Sequence, residues 1–541
     1  MEKFYGRKGF DMEKEQALDL KELCLGIEFG STRIKSVLVD PMGKIIAAGS
    51  HTWENRLENG VWTYSLEEIW KGLQSCYKDL KKHVQEQYGV TITTLGAIGI
   101  SAMQHGYMAF DRQGSLLVPF RTWRNTMTES ACHILMEKFH YPIPQRWTIA
   151  HLYQAILNQE PHVKDLDFVI TLAGYVHWQL TGEKKVGLNE ASGMFPVDEN
   201  ALDFHSDMVD TFMELIQDQG YPWKLLDIFP KICMAEKTAG YLSSQGATLL
   251  DPEGDLKPGI PFCPPEGDGG TGMVATNSIK PSTGHISAGT SVFSMLVLNK
   301  KLSRVYSEID QVVTPEGQPV AMVHCNNCSS EVDAWIRLLG EAAEALGAVF
   351  DKDQLYQILY TKALEGDPDA GGLYICNYHS GEHTTGMEEG RPLMVRGAEN
   401  PLTLANFMKG QLYSALATMS MGMEILLEKE QVHVKEIVGH GGLFKTEKTG
   451  QTIVANALGI PVRKINTAGE GGAWGMALLA SYMLFRKGNM SVSEYLDTYI
   501  FGKDNGTVVF PDKENREGFL RFLSRYKECM EIEKCAVRCF K

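Results

Sequence analysis

LGIEFGSTRIKSVLVD, residues 25–40, is two short apolar runs joined by Gly30-Ser31-Thr32. Runs of this length, with a glycine and small hydroxyl residues between them, read as two strands and a tight turn. Working outward, KIIAAGSHTW (44–53) follows Pro41-Met42-Gly43 as a third strand. SLEEIWKGLQSCYKDLKKHVQEQY (65–88) has apolar residues at helical spacing behind a Ser-x-x-Glu start, the pattern of a capping box. TLGAIGIS (94–101) returns to strand. Three strands, a helix and a strand predict an α/β protein with a mixed sheet.

The opening pattern returns half a chain later. GHISAGTSVFSMLVL (284–298) is again strand, Gly-Thr-Ser turn, strand. Two similar hairpins so far apart predict two related domains, with a boundary near 280 after the turn-rich stretch 251–270. The expected divisions are an extension at 1–22, a first domain at 23–280 and a second at 281–541. Within the second, VGHGGLFKTEKTGQTIVANALGIPV (438–462) reads as strand, Gly loop and helix, and EGGAWGMALLAS (470–481) as a Gly loop opening an apolar helix. Residues 513–541 read as a charged amphipathic helix.

Bulk composition narrows the function. With 52 Lys and Arg against 67 Asp and Glu, the net charge is −15. That surplus argues against a nucleic-acid binder and against attachment to an anionic membrane. The longest apolar stretch, 473–485, is too short to span a bilayer and reads as a buried helix. The N-terminus is charged throughout, so no secretory signal is expected. Eleven cysteines lie scattered without a framework pattern, which suits free thiols in a reducing, cytoplasmic compartment. Cys325 and Cys328 form one C-x-x-C pair, but no second ligand pair follows at zinc spacing, so they read as ordinary thiols.

Glycine is in excess, with 53 residues. A Gly-Thr/Ser turn between strands can present converging N–H groups and hydroxyls to a phosphate. A Gly loop opening a helix adds the positive end of a dipole. One such turn alone is an ordinary hairpin; two matched turns plus two Gly loops point to a phosphorylated ligand. Neither a P-loop nor a dinucleotide fingerprint is present.

This arrangement resembles the actin-like ATPase superfamily and, more narrowly, the FGGY family of carbohydrate kinases. Residues 25–40 are similar to the family's first phosphate motif and ISAGTSVF (286–293) to its second. Residues 439–462, with 470–480, are similar to its adenosine-binding region. AIGISAMQHGYMAFDRQG (97–114) resembles the segment that carries Met-His-Gly in xylulokinases and faces the sugar. FRTWRN (120–125) resembles the Trp-Asn-Asp stretch, and PPEGDGGTGMVATNSI (264–279) the loop of the catalytic aspartate. The resemblance runs from about residue 23 to beyond 480, in family order.

It implies two RNase H-like α/β domains flanking a catalytic cleft, with ATP and Mg²⁺ as cofactors. By itself Asp268 reads as a turn or N-cap acid or as a base; the resemblance implies the catalytic base, also in contact with the substrate. Glu28 stands where the family usually has Asp and is implied as the metal residue. Gly30, Ser31, Thr32 and Arg33 are implied at the phosphates, with Lys35 on the same side of its strand as Arg33. Gly289, Thr290 and Ser291 are implied to approach the β- and γ-phosphates from the other side, and Gly441, Gly442, Lys445 and Gln451 to lie at the nucleotide. For the sugar the implied residues are Gln104, His105, Trp123, Arg124 and Asn125. The family's Asn-Asp pair here reads Arg-Asn, so hydroxyl recognition differs. Turn 191–193 (ASG) and 324–335 are further neighbours without assigned roles. The implied reaction is phosphorylation of the terminal hydroxyl, O5, of a ketopentose such as D-xylulose or L-ribulose. A kinase for another ketose or polyol, an actin- or chaperone-like ATPase, and a sugar-binding regulator without catalysis are the alternatives; a homodimer is left open.

Overall fold

The computed structural model describes residues 18–465, 471–502 and 506–540, so most of the expected N-terminal extension lies outside the described residues. The opening meander is present as β1 (Cys24–Phe29), β2 (Arg33–Val39) and β3 (Ile45–Thr52), followed by α1 (Leu66–Tyr88) and β4 (Ala97–Ala102). Both halves of the capping box at the start of α1 form, between Ser65 and Glu68, and Gly89 ends the helix in the left-handed region. Three further strands complete the first sheet: β5 (Gly240–Tyr241), β6 (Pro261–Phe262) and β7 (Glu266–Gly267). The order is β5-β6-β4-β1-β2-β3, with β7 also paired to β4.

The second sheet repeats the motif. Its strands are β8 (Thr283–Ala288), β9 (Val292–Val297), β10 (Asp310–Val313), β11 (Pro319–Cys325), β12 (Glu436–His440), β13 (Val462–Lys464) and β14 (Thr507–Val509). Their order is β10-β11-β9-β8-β12-β13-β14. In each sheet an antiparallel hairpin lies beside a parallel strand: β1–β2 beside β4, and β8–β9 beside β12. The molecule is therefore α/β, built on two RNase H-like units of the actin-like ATPase kind.

Two apolar cores accompany the two sheets, and the division between them does not follow the chain. The helix expected from 470–481 is α7 (Gly471–Phe485, numbered after α2–α6 below). It comes late in the chain, yet its buried side chains belong to the first core. Val312, Val313 and Val320 of the second sheet's edge also join that core. Strand alternation explains how α7 fits. Gly26 pairs with Gly99, and a Cβ on Gly26 would stand 2.1 Å from the Ala473 carbonyl oxygen, one on Gly99 2.7 Å from the Met476 methyl. On the opposite face Ser36, paired with Gly49, meets α1 at the Cys76 carbonyl.

Other helices used below are α2 (Leu188–Ser192), α3 (Asp268–Ala275), α4 (Ser330–Ala345), α5 (Leu404–Glu424) and α6 (Thr449–Leu458). The helix expected over 513–541 is divided at Cys529 into Lys513–Glu528 and Met530–Cys539. Among the described residues no helix is long and apolar enough to cross a membrane. Cys325 and Cys328 are buried, and burial pushes the Cys328 thiol up to about 12 and Cys325 well above its ordinary range, so both are thiols at neutral pH.

Candidate active site

Register across three parallel strands builds the site. Glu28 of β1 lies level with Ser101 of β4, and Ser101 is level with Glu266 of β7. One residue on, Phe29, Ala102 and Gly267 are level. The strands end together, so Gly30, the 103–106 turn and Asp268 leave the sheet along one edge. The carboxyl ends of parallel strands are where α/β folds bind ligands.

Asp268 is the first residue of α3, after the N-cap Gly267. Its Oδ1 accepts from the Gln104 N–H at 3.1 Å and from the Gly269 N–H at 2.9 Å. Both bonds fall on one oxygen and leave Oδ2 for a substrate. Burial raises its pKa above the ordinary aspartate range, while those N–H groups and the Arg146 guanidinium pull the other way. A carboxylate made more basic by burial suits proton abstraction. Behind it lies a second layer that sequence reasoning missed. Glu190 of α2 and Glu266 are both buried, and the Glu190 N–H donates to Glu266 Oε2 at 2.9 Å. Burial lifts Glu266 to about 8, against the Glu190, Asn189 and Leu188 N–H groups that favour its anion, and lifts Glu190 well above its ordinary range.

Glu28 points to the α7 side of the sheet. The Gly472 and Ala473 N–H groups at the start of α7 donate to its carboxylate. A Cβ on Gly472 would stand 2.4 Å from Glu28 Oε1, so the glycine is what admits the longer acid. Burial first, then the charge of Asp268, raises Glu28 to about 7; Lys35, its cross-strand partner on β2, opposes this. An acid whose ionised form is disfavoured by burial and by a second carboxylate, Asp268, is suited to receive a divalent cation. Arg33 is exposed.

The first turn is held from behind by aromatic residues that sequence reasoning did not single out. Trp53 Nε1 donates to the Gly30 carbonyl at 2.7 Å, Tyr64 Oη to that of Ser31 at 2.6 Å, and the Trp53 N–H to that of Thr32 at 3.2 Å. Trp53 and Tyr64 stack with centroids 4.0 Å apart. All three carbonyls are occupied away from the ligand side. The second turn is built alike: the carbonyls of Gly289 and Thr290 accept from Ser329 and Cys328, just before α4. Gly441 touches this turn, since a Cβ there would lie 2.5 Å from the Ala288 oxygen, and its φ of +94° favours glycine. Gly442 opens a short 3-10 turn, and α6 begins only at Thr449. Lys445 is exposed just after that turn. Ser291 completes the second turn by accepting the Gly289 N–H at its carbonyl. Gln451 is buried and spends its amide on the Val462 and Thr507 carbonyls; it joins β13 to β14 rather than facing a nucleotide.

Gln104 and His105, implied at the sugar by the resemblance, follow β4 after Met103. Gln104 Nε2 donates to the Asn189 carbonyl at 2.7 Å. His105 has φ +75°, a strained conformation of the kind found at ligand sites. Its Nδ1 faces the Gly193 carbonyl at 3.2 Å, so the proton sits on Nδ1 and Nε2 is an acceptor. Burial keeps this ring neutral. Turn 191–193 therefore orients the imidazole, and a Cβ on Gly193 would press on Nδ1 at 2.8 Å. Trp147, which sequence reasoning passed over, stacks on His105 with centroids 6.3 Å apart.

The 123–125 group is placed differently. Trp123 Nε1 donates to Ser31 Oγ at 3.1 Å, so this indole meets the first turn. Arg124 lies over the Trp62 ring at 3.8 Å. Asn125 is buried, with its amide bonded to the Trp62 N–H, the Trp62 carbonyl and the Thr122 carbonyl. Asn125 thus holds the loop together, its amide spent on neighbouring backbone.

Comparison with known proteins agrees with this layout. The model of the FGGY carbohydrate kinase N-terminal domain matches residues 23–275, and that of the C-terminal domain matches 284–484. A xylulose kinase of Staphylococcus epidermidis is 22% identical over 523 residues, covering 94% of this chain and 96% of that protein. An L-fuculokinase of Salmonella typhi is 26% identical over 263 residues, covering 46% of this chain and 51% of that protein, so this chain spans about half of that relative's length. The ligand-bound xylulose kinase structure from Lactobacillus acidophilus superposes with a TM-score of 0.77 at 16% identity, covering 94% of this chain and 98% of that one. With both domain models matched in order over most of its length, this chain is a sugar phosphotransferase belonging to the FGGY family of carbohydrate kinases.

Proposed function

We propose that the enzyme transfers the γ-phosphoryl group of ATP to the terminal O5 hydroxyl of a ketopentose, D-xylulose or L-ribulose. The observation that carries this reading is Asp268, with Oδ1 pinned by two N–H groups and Oδ2 left for a hydroxyl, beside Gln104 and His105. Asp268 takes the O5 proton as the oxygen attacks the γ-phosphorus. The bond to the β,γ-bridging oxygen breaks, and ADP leaves. His105 Nε2 accepts from a sugar hydroxyl, and the paired turns hold the phosphates from both sides. Mg²⁺ bound with the nucleotide would offset phosphate charge, and Glu28 would hold it directly or through its waters. Eleven unpaired cysteines suit a cytoplasmic enzyme.

Coupled ADP release over a panel of ketoses and polyols tests the reading. Stimulation by D-xylulose or L-ribulose well above other sugars is the expected result. Release independent of any sugar would replace it with an actin- or chaperone-like ATPase, and preference for a tetrose, hexulose or polyol would move the substrate. For Glu28→Ala, the Mg²⁺ concentration giving half activity should rise about tenfold or more, while the sugar KM stays within about twofold. An unchanged Mg²⁺ titration would reject a metal role for Glu28.

A further inference from the structure

An ion pair joins the two domains beside the turn that carries His105. Arg146 lies in the first matched domain, and its Nη2 is paired with Asp310 Oδ2 of β10 in the second. The Gly106 N–H donates to the Arg146 carbonyl at 3.0 Å, which sets Arg146 beside the His105 turn. Thr148 Oγ1 fixes the same turn by donating to the Gly106 carbonyl at 2.7 Å. β10 is moored along its length to the first domain. Tyr141 Oη donates to the Gln311 carbonyl at 3.4 Å and Asn189 Nδ2 to the Val313 carbonyl at 2.7 Å, while the Val313 N–H donates to Ser192 Oγ at 3.1 Å. The pair is therefore held in place beside that turn. Its side chains keep 22% and 15% of their surface open.

We propose that Arg146 and Asp310 determine substrate specificity by limiting the pocket to uncharged sugars, a step that rests on the sugar-kinase reading. The guanidinium donates to sugar hydroxyls through the N–H groups that Asp310 leaves unused. Its charge reaches Asp268, where it opposes part of the rise that burial causes, and it depresses His105, His324 and His383 as well. Burial keeps His105 and His324 neutral. Two carboxylates, Asp268 and Asp310, then act on this region together with the one guanidinium of Arg146. A sugar carboxylate entering it meets two carboxylates, and the cation that would receive it is already paired. A polyol meets the same groups as one fork of donors and two acceptors.

Calorimetric binding of D-xylonate, a five-carbon aldonate, to the full-length protein tests this directly. Wild type should bind it at least tenfold more weakly than Asp310→Asn, in which the guanidinium is released. The double variant Asp310→Asn/Arg146→Met should lose the gain. In ADP-release assays Arg146→Met should raise the ketose KM about tenfold while the ATP KM stays within about twofold, and Arg146→Lys should restore part of it. Equal xylonate affinity in wild type and Asp310→Asn would overturn the proposal, whichever sugar is phosphorylated. An unchanged ketose KM in folded Arg146→Met would overturn it too. Failure of every ketose to stimulate wild type would instead count against the function proposed above, and the xylonate comparison would still read the pocket's charge.

Discussion

Asp268→Asn should lower sugar-dependent ADP release about 10³-fold, within the range a general base supplies, while the Kd for ATP changes by less than about threefold. The substitution is close to isosteric. The amide oxygen keeps both N–H bonds, from Gln104 and Gly269, so the backbone of α3 has no reason to move. The amide nitrogen takes the place of Oδ2 and presents protons where a lone pair was. The sugar hydroxyl then has no acceptor at the moment its oxygen attacks. ATP binding is spared because the residues assigned to it, on the two turns and at Gly441, do not touch Asp268. Near-native turnover by this variant would remove Asp268 from the base role. Loss of ATP affinity in parallel with turnover would mean that the substitution had disturbed the cleft rather than the chemistry.

The parts of this site legible in the sequence are those a short segment determines alone. Residues 25–40 announce a hairpin through their apolar runs and Gly30-Ser31-Thr32, and 286–291 repeat it, because turn chemistry is local. Asp268 is visible since glycines on both sides leave it uncrowded. Side-chain amides are harder. Asn125 and Gln451 have the donors and acceptors a ligand needs, but both bond to neighbouring backbone, and no pattern separates the two uses. Register is equally silent: that Glu28, Ser101 and Glu266 stand level depends on pairing among strands far apart in the chain. The Arg146–Asp310 pair joins positions 164 residues apart and is created only by the docking of β10 on the first domain. Trp53 and Tyr64 look like ordinary core aromatics until their donors are seen on the first turn. The apolar stretch 473–485 is recognisable as a buried helix because it is apolar on every side, and for that reason it carries no hint of which sheet it covers.

That helix supports the second large expected effect. An ordinary Gly→Ala change inside a helix stabilises by about 0.5–1 kcal/mol. Gly475→Ala should do the reverse. A Cβ at Gly475 would stand 2.0 Å from the Thr271 carbonyl oxygen and 3.2 Å from the Ala275 nitrogen, both backbone atoms of α3. No rotamer change can clear a contact made by main chain. On its other side α7 already rests on β1 at Gly26, so it cannot retreat into the sheet. Either α3 or α7 must shift, at a cost of about 3 kcal/mol or more, which for a chain of this size lowers Tm by about 3 °C. Both ends of the site are tied to the same contact. α3 begins with Asp268, its Thr271 hydroxyl meets Ser101 Oγ at 3.0 Å, and α7 begins with the Gly472 and Ala473 N–H groups that hold Glu28. A displacement of about 1 Å in either helix separates base from phosphate site and is enough for a loss of about 10²-fold in turnover. Thermal unfolding followed by fluorescence, with kcat measured on the folded fraction at 25 °C, checks both effects. A Tm equal to or above wild type would show that α3 and α7 are not packed backbone to backbone at this point.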